Sequence, residues 1–162
     1  MSHPLRRADR EITDPLEIET ILAEARYATI ALADGDEPYV VTLSCGFDAI
    51  ANRLCFHVAP AGRKLDIIAR NPRACVTVIA DLGYKTGECA HPYRSVVMTG
   101  RMRMVTDLSE ARAAMKTLIG HLEAAEDADA IYRGNRLDED AALKRFRMLV
   151  FEIEETSAKE GE

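Results

Sequence analysis

The residues best placed to do chemistry lie between positions 57 and 64. Ala61-Gly62-Arg63-Lys64-Leu65 opens a segment of helical periodicity with two cations in its first turn, where the helix macrodipole favours Asp or Glu. Free N–H groups at a helix start, joined by a guanidinium and an ammonium group, suit an anion, most simply a phosphate. Glycine at 62 lets backbone approach a ligand closely. A solvated basic pair, costing roughly a few tenths of a kcal/mol, accounts for the same residues equally well on local sequence alone. His57 stands just upstream in a strand-like run, where an imidazole can move protons near neutral pH or simply be satisfied by a neighbour. Cys55-x-His57 and Cys89-x-His91 share a spacing that could build a Cys₂His₂ zinc set, but zinc patterns space cysteine pairs two to four apart, so no metal is expected. Leu43-Ser44-Cys45-Gly46 is no nucleophile elbow. The nine glycines contain neither a dinucleotide fingerprint nor a phosphate loop.

Three helices and six strands must position these groups. Asp14-Pro15 has the form of an N-cap with proline at the first helical position, and Glu17 falls where a capping box would put it. Ile18, Ile21, Leu22 and Ala25 then predict a helix from Pro15 to about Arg26. A second is predicted from Gly62 to Arg70, closed by Asn71-Pro72. Asp107 and Glu110 repeat the capping device for a third, which ends near Glu123. The strand candidates are Tyr27 to Ala33, Tyr39 to Phe47, Arg53 to Ala59, Ala74 to Ala80, Ser95 to Val105 and Arg145 to Glu154. Asp34-Gly35 is a hairpin signal between the first two. Asp81 to Pro92, Glu123 to Arg136 and the tail from Thr156 read as loops. Alternation puts Val41, Leu43, Cys45 and Phe47 on one face and Val40, Thr42 and Ser44 on the other. Leu54, Phe56 and Val58 likewise oppose Cys55 and His57, and Ser95, Thr99, Arg101 and Arg103 oppose Val96, Met98, Met102 and Met104. The polar faces are expected to meet water.

Composition narrows the partners. The chain has 162 residues and 17.9 kDa, with 21 Lys+Arg against 27 Asp+Glu and a net charge of -6. That length fits one domain, 1–162, with an N-terminal arm over 1–12 and a tail over 156–162. An acidic balance argues against a general nucleic-acid partner, which needs phosphates neutralised. No strictly apolar run exceeds four residues, as in Ile30 to Ala33, so neither a membrane span nor a signal peptide is expected. Four cysteines, three of them in apolar runs, suit buried free thiols in a cytoplasmic protein. Many short strands with tight links and few helices predict an α+β, mainly β fold: a barrel or sandwich.

Several stretches then fall into one pattern. They are Leu54 to Ile68 continuing to Asn71-Pro72-Arg73, Arg6 to Ile12, Pro38-Tyr39-Val40-Val41, and Tyr93-Arg94-Ser95-Val96 before Gly100-Arg101. In order and spacing, from about residue 6 to 123 and more weakly in the last strand, the chain resembles the pyridoxamine 5′-phosphate oxidase-like, FMN-binding split-barrel proteins. Within them it looks like the branch associated with nitroimidazole resistance. The resemblance implies a six-stranded antiparallel split β-barrel with flanking helices, forming a homodimer with FMN in clefts at the interface. It places Arg63 and Lys64, with Gly62, at the FMN phosphate. Val41, Thr42, Leu43, Ser44 and Cys45 would line the isoalloxazine, and His57, Val58 and Ser95 would make further contacts. The activity implied is transfer of electrons from NADH or NADPH through FMN to a small acceptor such as a nitro-compound or quinone. His57 is the expected proton donor, with Tyr93 a weaker candidate. A non-catalytic flavin- or haem-binding protein of the same fold, with His57 as haem ligand, is the alternative. The absence of Trp and the seven residues after Glu155 argue against vitamin B6 oxidation. Thr42 stands where branch members often have proline, and Tyr84 to Pro92 has no clear family counterpart.

Overall fold

The computed structural model describes residues 6–161; Met1 to Leu5 of the expected arm lie outside them. A short 3₁₀ turn, Ala8–Arg10, leads into α1 (Pro15–Glu24), then β1 (Tyr27–Asp34), β2 (Glu37–Ser44), β3 (Gly46–Asp48) and β4 (Arg53–Val58). There follow α2 (Arg63–Arg70), β5 (Arg73–Asp81), β6 (Tyr93–Met104), α3 (Leu108–Leu122), α4 (Ala125–Gly134), α5 (Asp140–Leu143) and β7 (Arg147–Gly161). The strands make one antiparallel sheet in the order β2-β1-β5-β6-β7-β4-β3. Strand β2, at one edge, packs near β4 without joining its ladder, so the curled sheet closes as a split barrel. Among the described residues no helix is long and apolar enough to cross a membrane.

Seven strands replace the expected six because the predicted run Tyr39 to Phe47 divides at Cys45. Ser44 is the last residue paired with β1, and Gly46 is the first paired with β4. Helix α3 makes the break: a Cβ on Gly46 would lie 2.6 Å from the Leu118 Cα, and Phe47 donates its N–H to His121 Nδ1 at 3.2 Å. The predicted tail from Thr156 is strand as well. Residues Thr156 to Gly161 pair with Tyr93 to Met98 beyond a bulge at Thr99/Gly100. A side chain at Gly100 would collide with the Glu152 carbonyl, so glycine there permits the bend. The predicted loop Glu123 to Arg136 contains α4, whose Tyr132 is buried and donates its hydroxyl to the Leu137 carbonyl at 2.9 Å.

Local signals otherwise act as the residues dictate. Asp14 accepts the Leu16 N–H at 3.0 Å and Asp107 the Glu110 N–H at 2.8 Å. The two capping-box glutamates turn elsewhere: Glu17 lies 3.4 Å from Arg94, and Glu110 binds Arg53 and Arg103. The hairpin turn is Gly35-Asp36, one residue later than the signal, with Gly35 at φ +64°.

Two cores result. Ile30, Leu54, Phe56, Val76, Met98 and Phe151 fill the barrel. Outside it, Cys55, Met148 and Val150 pack against Ala114, Met115 and Leu118 of α3. The face carrying Cys55 therefore does not meet water there, because α3 covers it. Adding this helical layer is how a small barrel buries apolar groups on both faces of β4 and β7.

Candidate functional site

Helix α2 starts with an unusual donor set. Gly62, its N-cap, has φ +141°, a conformation costly for any side chain. Its carbonyl accepts the Leu65 and Asp66 N–H groups at 2.9 and 3.4 Å, leaving those of Arg63 and Lys64 as the free donors of the first turn. No atom lies within 4 Å of where a Gly62 Cβ would stand, so this backbone faces open space. The Arg63 guanidinium reaches the β1–β2 hairpin, 3.7 Å from both Asp34 and Glu37, and lies 5.1 Å over the Tyr39 ring. Those carboxylate distances exceed hydrogen-bond length. Lys64 is half-buried and makes no ion pair among the described residues.

Strand β2, beyond that hairpin, splits its residues between two environments. Val40, Thr42 and Ser44 face outward, while Val41 and Leu43 pack against the barrel core. Thr42 Oγ1 is 3.1 Å from Thr29 Oγ1 on β1. Cys45 is fully buried, its Sγ donating to the Ala25 carbonyl at 3.4 Å, and burial pushes its thiol pKa up to about 11. Its side chain cannot meet a ligand without local opening, so only its backbone remains available. Ser95 shares the outer face with Thr42 and Ser44 but sits on β6, three strands from β2, or about 14 Å at ordinary strand spacing. Its side chain is 6% exposed. It lines a cavity of about 630 Å³ with Thr77, Ile79, Tyr93, Val97 and Lys159.

His57 occupies different surroundings. Its neighbour Val58 points into the barrel, whereas the imidazole turns outward and meets Phe146 edge-on, 4.8 Å between centroids. Together they wall a cavity of about 420 Å³ with Met115, Leu118, Ile119 and Leu122 of α3. Partial burial among these apolar groups lowers the His57 pKa below 6.5, because imidazolium loses hydration there. Gly62 is five steps along the chain from His57, which spans at most about 18 Å. The structure thus brings the Arg63 guanidinium, with Gly62 and Lys64 beside it in the chain, to the hairpin that begins β2, and keeps His57 under α3 and Ser95 across the sheet. Cys55 is buried and Cys89 exposed in the loop after β5, where His91 pairs with Asp81 at 2.9 Å; among the described residues no cluster of three or more His, Cys, Asp or Glu could hold a metal ion.

Phe146 and the residues of α4 near His57 escaped the sequence reading. A signal for α4 existed: Ala128, Ile131 and Tyr132 recur at helical spacing, with Glu126 and Asp127 in the first turn and Arg133 in the last.

Comparison with known proteins agrees with this architecture. A 5-nitroimidazole antibiotic resistance protein, so described, from Bacteroides thetaiotaomicron superposes with TM-score 0.74 at 22% identity, over 93% of this chain and 86% of that one. The FAD- and haem-binding protein of Mycobacterium smegmatis gives 0.77 at 19%, over 94% and 74%. An FAD-binding protein of Mesorhizobium loti gives 0.65 at 24%, over 94% and 98%. At these identities the likeness shows the fold. No curated protein matches by sequence. The family model described as pyridoxamine 5′-phosphate oxidase matches residues 14–160, nearly the whole of the described chain. The chain belongs to the pyridoxamine 5′-phosphate oxidase family.

Proposed function

We propose that this protein binds FMN as a homodimer and works as an oxidoreductase on a small acceptor. The start of α2 carries the reading: a glycine cradle, two free N–H groups and two cations stand beside the hairpin that begins β2. A phosphate monoester fits that set, since it can accept from backbone, guanidinium and ammonium donors at once. The pairs it must displace from Arg63 are long, and Arg63 itself is exposed, so they are weak. Thr42 and Ser44, with the backbone of Val41, Leu43 and Cys45, would hold the flavin ring; His57 and Ser95, which the fold sets apart from them, would reach it only as contributions from the second copy, and Val58 only through its backbone. Two similar proteins are described as FAD-binding, which supports a flavin in this fold.

FMN, when bound, supplies electron transfer from NADH or NADPH to an acceptor such as a nitro-compound or quinone. The chain's residues then orient and shield. His57 is largely neutral at pH 7 because its pKa is lowered, so it donates a proton only from its minority charged form. The purified protein should show flavin absorption, bleached without oxygen by NADH or NADPH. A colourless protein that also rejects added FMN contradicts the proposal.

One observation favours a second reading, haem binding without turnover. A similar protein is described as FAD- and haem-binding, and the outward-facing His57 imidazole offers an axial ligand. Added haemin would then give a Soret band that His57→Ala removes.

A further inference from the structure

A second cavity shares the Phe146 ring with the His57 cavity. It encloses about 510 Å³ between β6, β7, α3 and α5, with Met104, Val105, Leu108, Leu143, Phe146 and Met148 as its apolar walls. Val105, Leu143 and Met148 are buried, the first and last of them in the outer core, so packing fixes their positions. Lys144 and Arg147 also line it, both exposed, and no carboxylate does. Of the acids on the flanking elements, Glu110 and Glu152 hold Arg103, Asp140 holds Arg112, and Asp107 accepts from the Ser109 hydroxyl and the Glu110 N–H. Arg147 donates one N–H to the Phe146 carbonyl at 3.1 Å. Among the described residues neither Lys144 nor Arg147 makes an ion pair.

An apolar chamber with two unpaired cations and no acid is complementary to one chemical class. We propose that it binds an amphipathic monocarboxylate, with the hydrocarbon against Met104, Leu108 and Met148 and the carboxylate between Lys144 and Arg147. The volume lies within the range of small-molecule sites. At roughly 30 Å³ per heavy atom it admits a medium-length chain such as decanoate. The ammonium and guanidinium supply charge-assisted hydrogen bonds, and the walls supply the burial that a small acid such as acetate cannot use. Phe146 also forms a wall of the His57 cavity, so occupancy should be felt at the His57 ring.

Calorimetric titration of the 162-residue chain, without added flavin, tests this with decanoate, decanol and decylamine. Decanoate should bind and decylamine should not. Lys144→Ala with Arg147→Ala should weaken decanoate at least tenfold, as expected for lost charge-assisted bonds, while leaving the weaker decanol binding unchanged. Both positions are exposed, so folding should survive; Met104→Trp, which fills the chamber, should abolish binding of both decanoate and decanol. Proton NMR should show decanoate moving the His57 ring resonances and not those of His91. Equal binding of decanoate and decylamine, no binding of decanoate, or unchanged affinity in the double variant overturns the proposal. So does a decanoate-induced shift at His91 instead of His57. None of these results depends on whether FMN binds.

Discussion

His57 shows how environment decides what one residue can do. On its strand it would be an ordinary imidazole; beside Phe146 and the apolar side of α3 its charged form is disfavoured. Its folded pKa lies below the unfolded value, so the fold loses stability as pH falls from about 6.5 through the lowered pKa. If His57 donates the proton to the reduced acceptor, turnover should rise as pH falls through that same interval. A pH–rate profile should therefore show this limb in the wild type and lose it in His57→Gln. An identical limb in both proteins removes His57 from the chemistry. Cys45 makes the contrasting case: it was a plausible contact by position, yet its thiol is spent on the Ala25 carbonyl inside the barrel.

At the scale of elements, α3 is the organising piece. It splits the β2–β3 run at Gly46, covers Cys55 and walls the His57 cavity. Its anchor is Glu110, which accepts from Arg53 of β4 at 2.9 Å and Arg103 of β6 at 2.6 Å. Arg53 also binds Asp48, and Arg103 binds Glu152. The hydrogen bond from Arg103 is the main reason that the Glu110 pKa falls below its ordinary 4.5. The stabilisation this represents is complete above pH 4.5 and is lost as pH falls through the lowered pKa. Glu110→Gln should cost about 1–3 kcal/mol in urea unfolding at pH 7, since the network is partly buried. The difference from wild type should shrink toward pH 3. A constant difference would show that packing rather than charge anchors the helix.

Legibility varied with how local the cause was. Gly62, Asn71 and Pro72 bracket α2 within ten residues, and alternation in Leu54, Phe56 and Val58 marks a barrel strand without help from elsewhere. The Arg63–Lys64 pair was visible for the same reason. The break at Cys45 was hidden because its cause is a helix more than 70 residues onward. Thr156 to Gly161 looked like a polar tail, since nothing local reveals that β6 is long enough to pair with it. The His57 cavity depends on Phe146, which stands just before β7, far from His57 in the chain.

For the whole molecule, the outer sheet face is where the proposed homodimer would form. Val40, Ile79 and Val97 lie on that face at 60%, 63% and 38% exposure, an apolar surface of the kind that marks an interface. Thr42 and Ser95 share it from different strands. In the proposed homodimer a second copy covers this face and closes the cleft. Val97→Asp should then sediment as a monomer and bind FMN more weakly, with its thermal unfolding still cooperative. A dimer of unchanged affinity would place the interface elsewhere.

The net charge of -6 argues against a polyanion as partner, but the cationic start of α2 leaves room for a single phosphate. Titrating FMN and riboflavin into wild type and the Arg63→Ala, Lys64→Ala variant tests that claim most directly. The account predicts that the variant binds FMN at least tenfold more weakly, from loss of charge-assisted bonds, while riboflavin affinity stays nearly constant. Equal weakening of both ligands, or no weakening of FMN, would contradict a phosphate at Arg63 and Lys64.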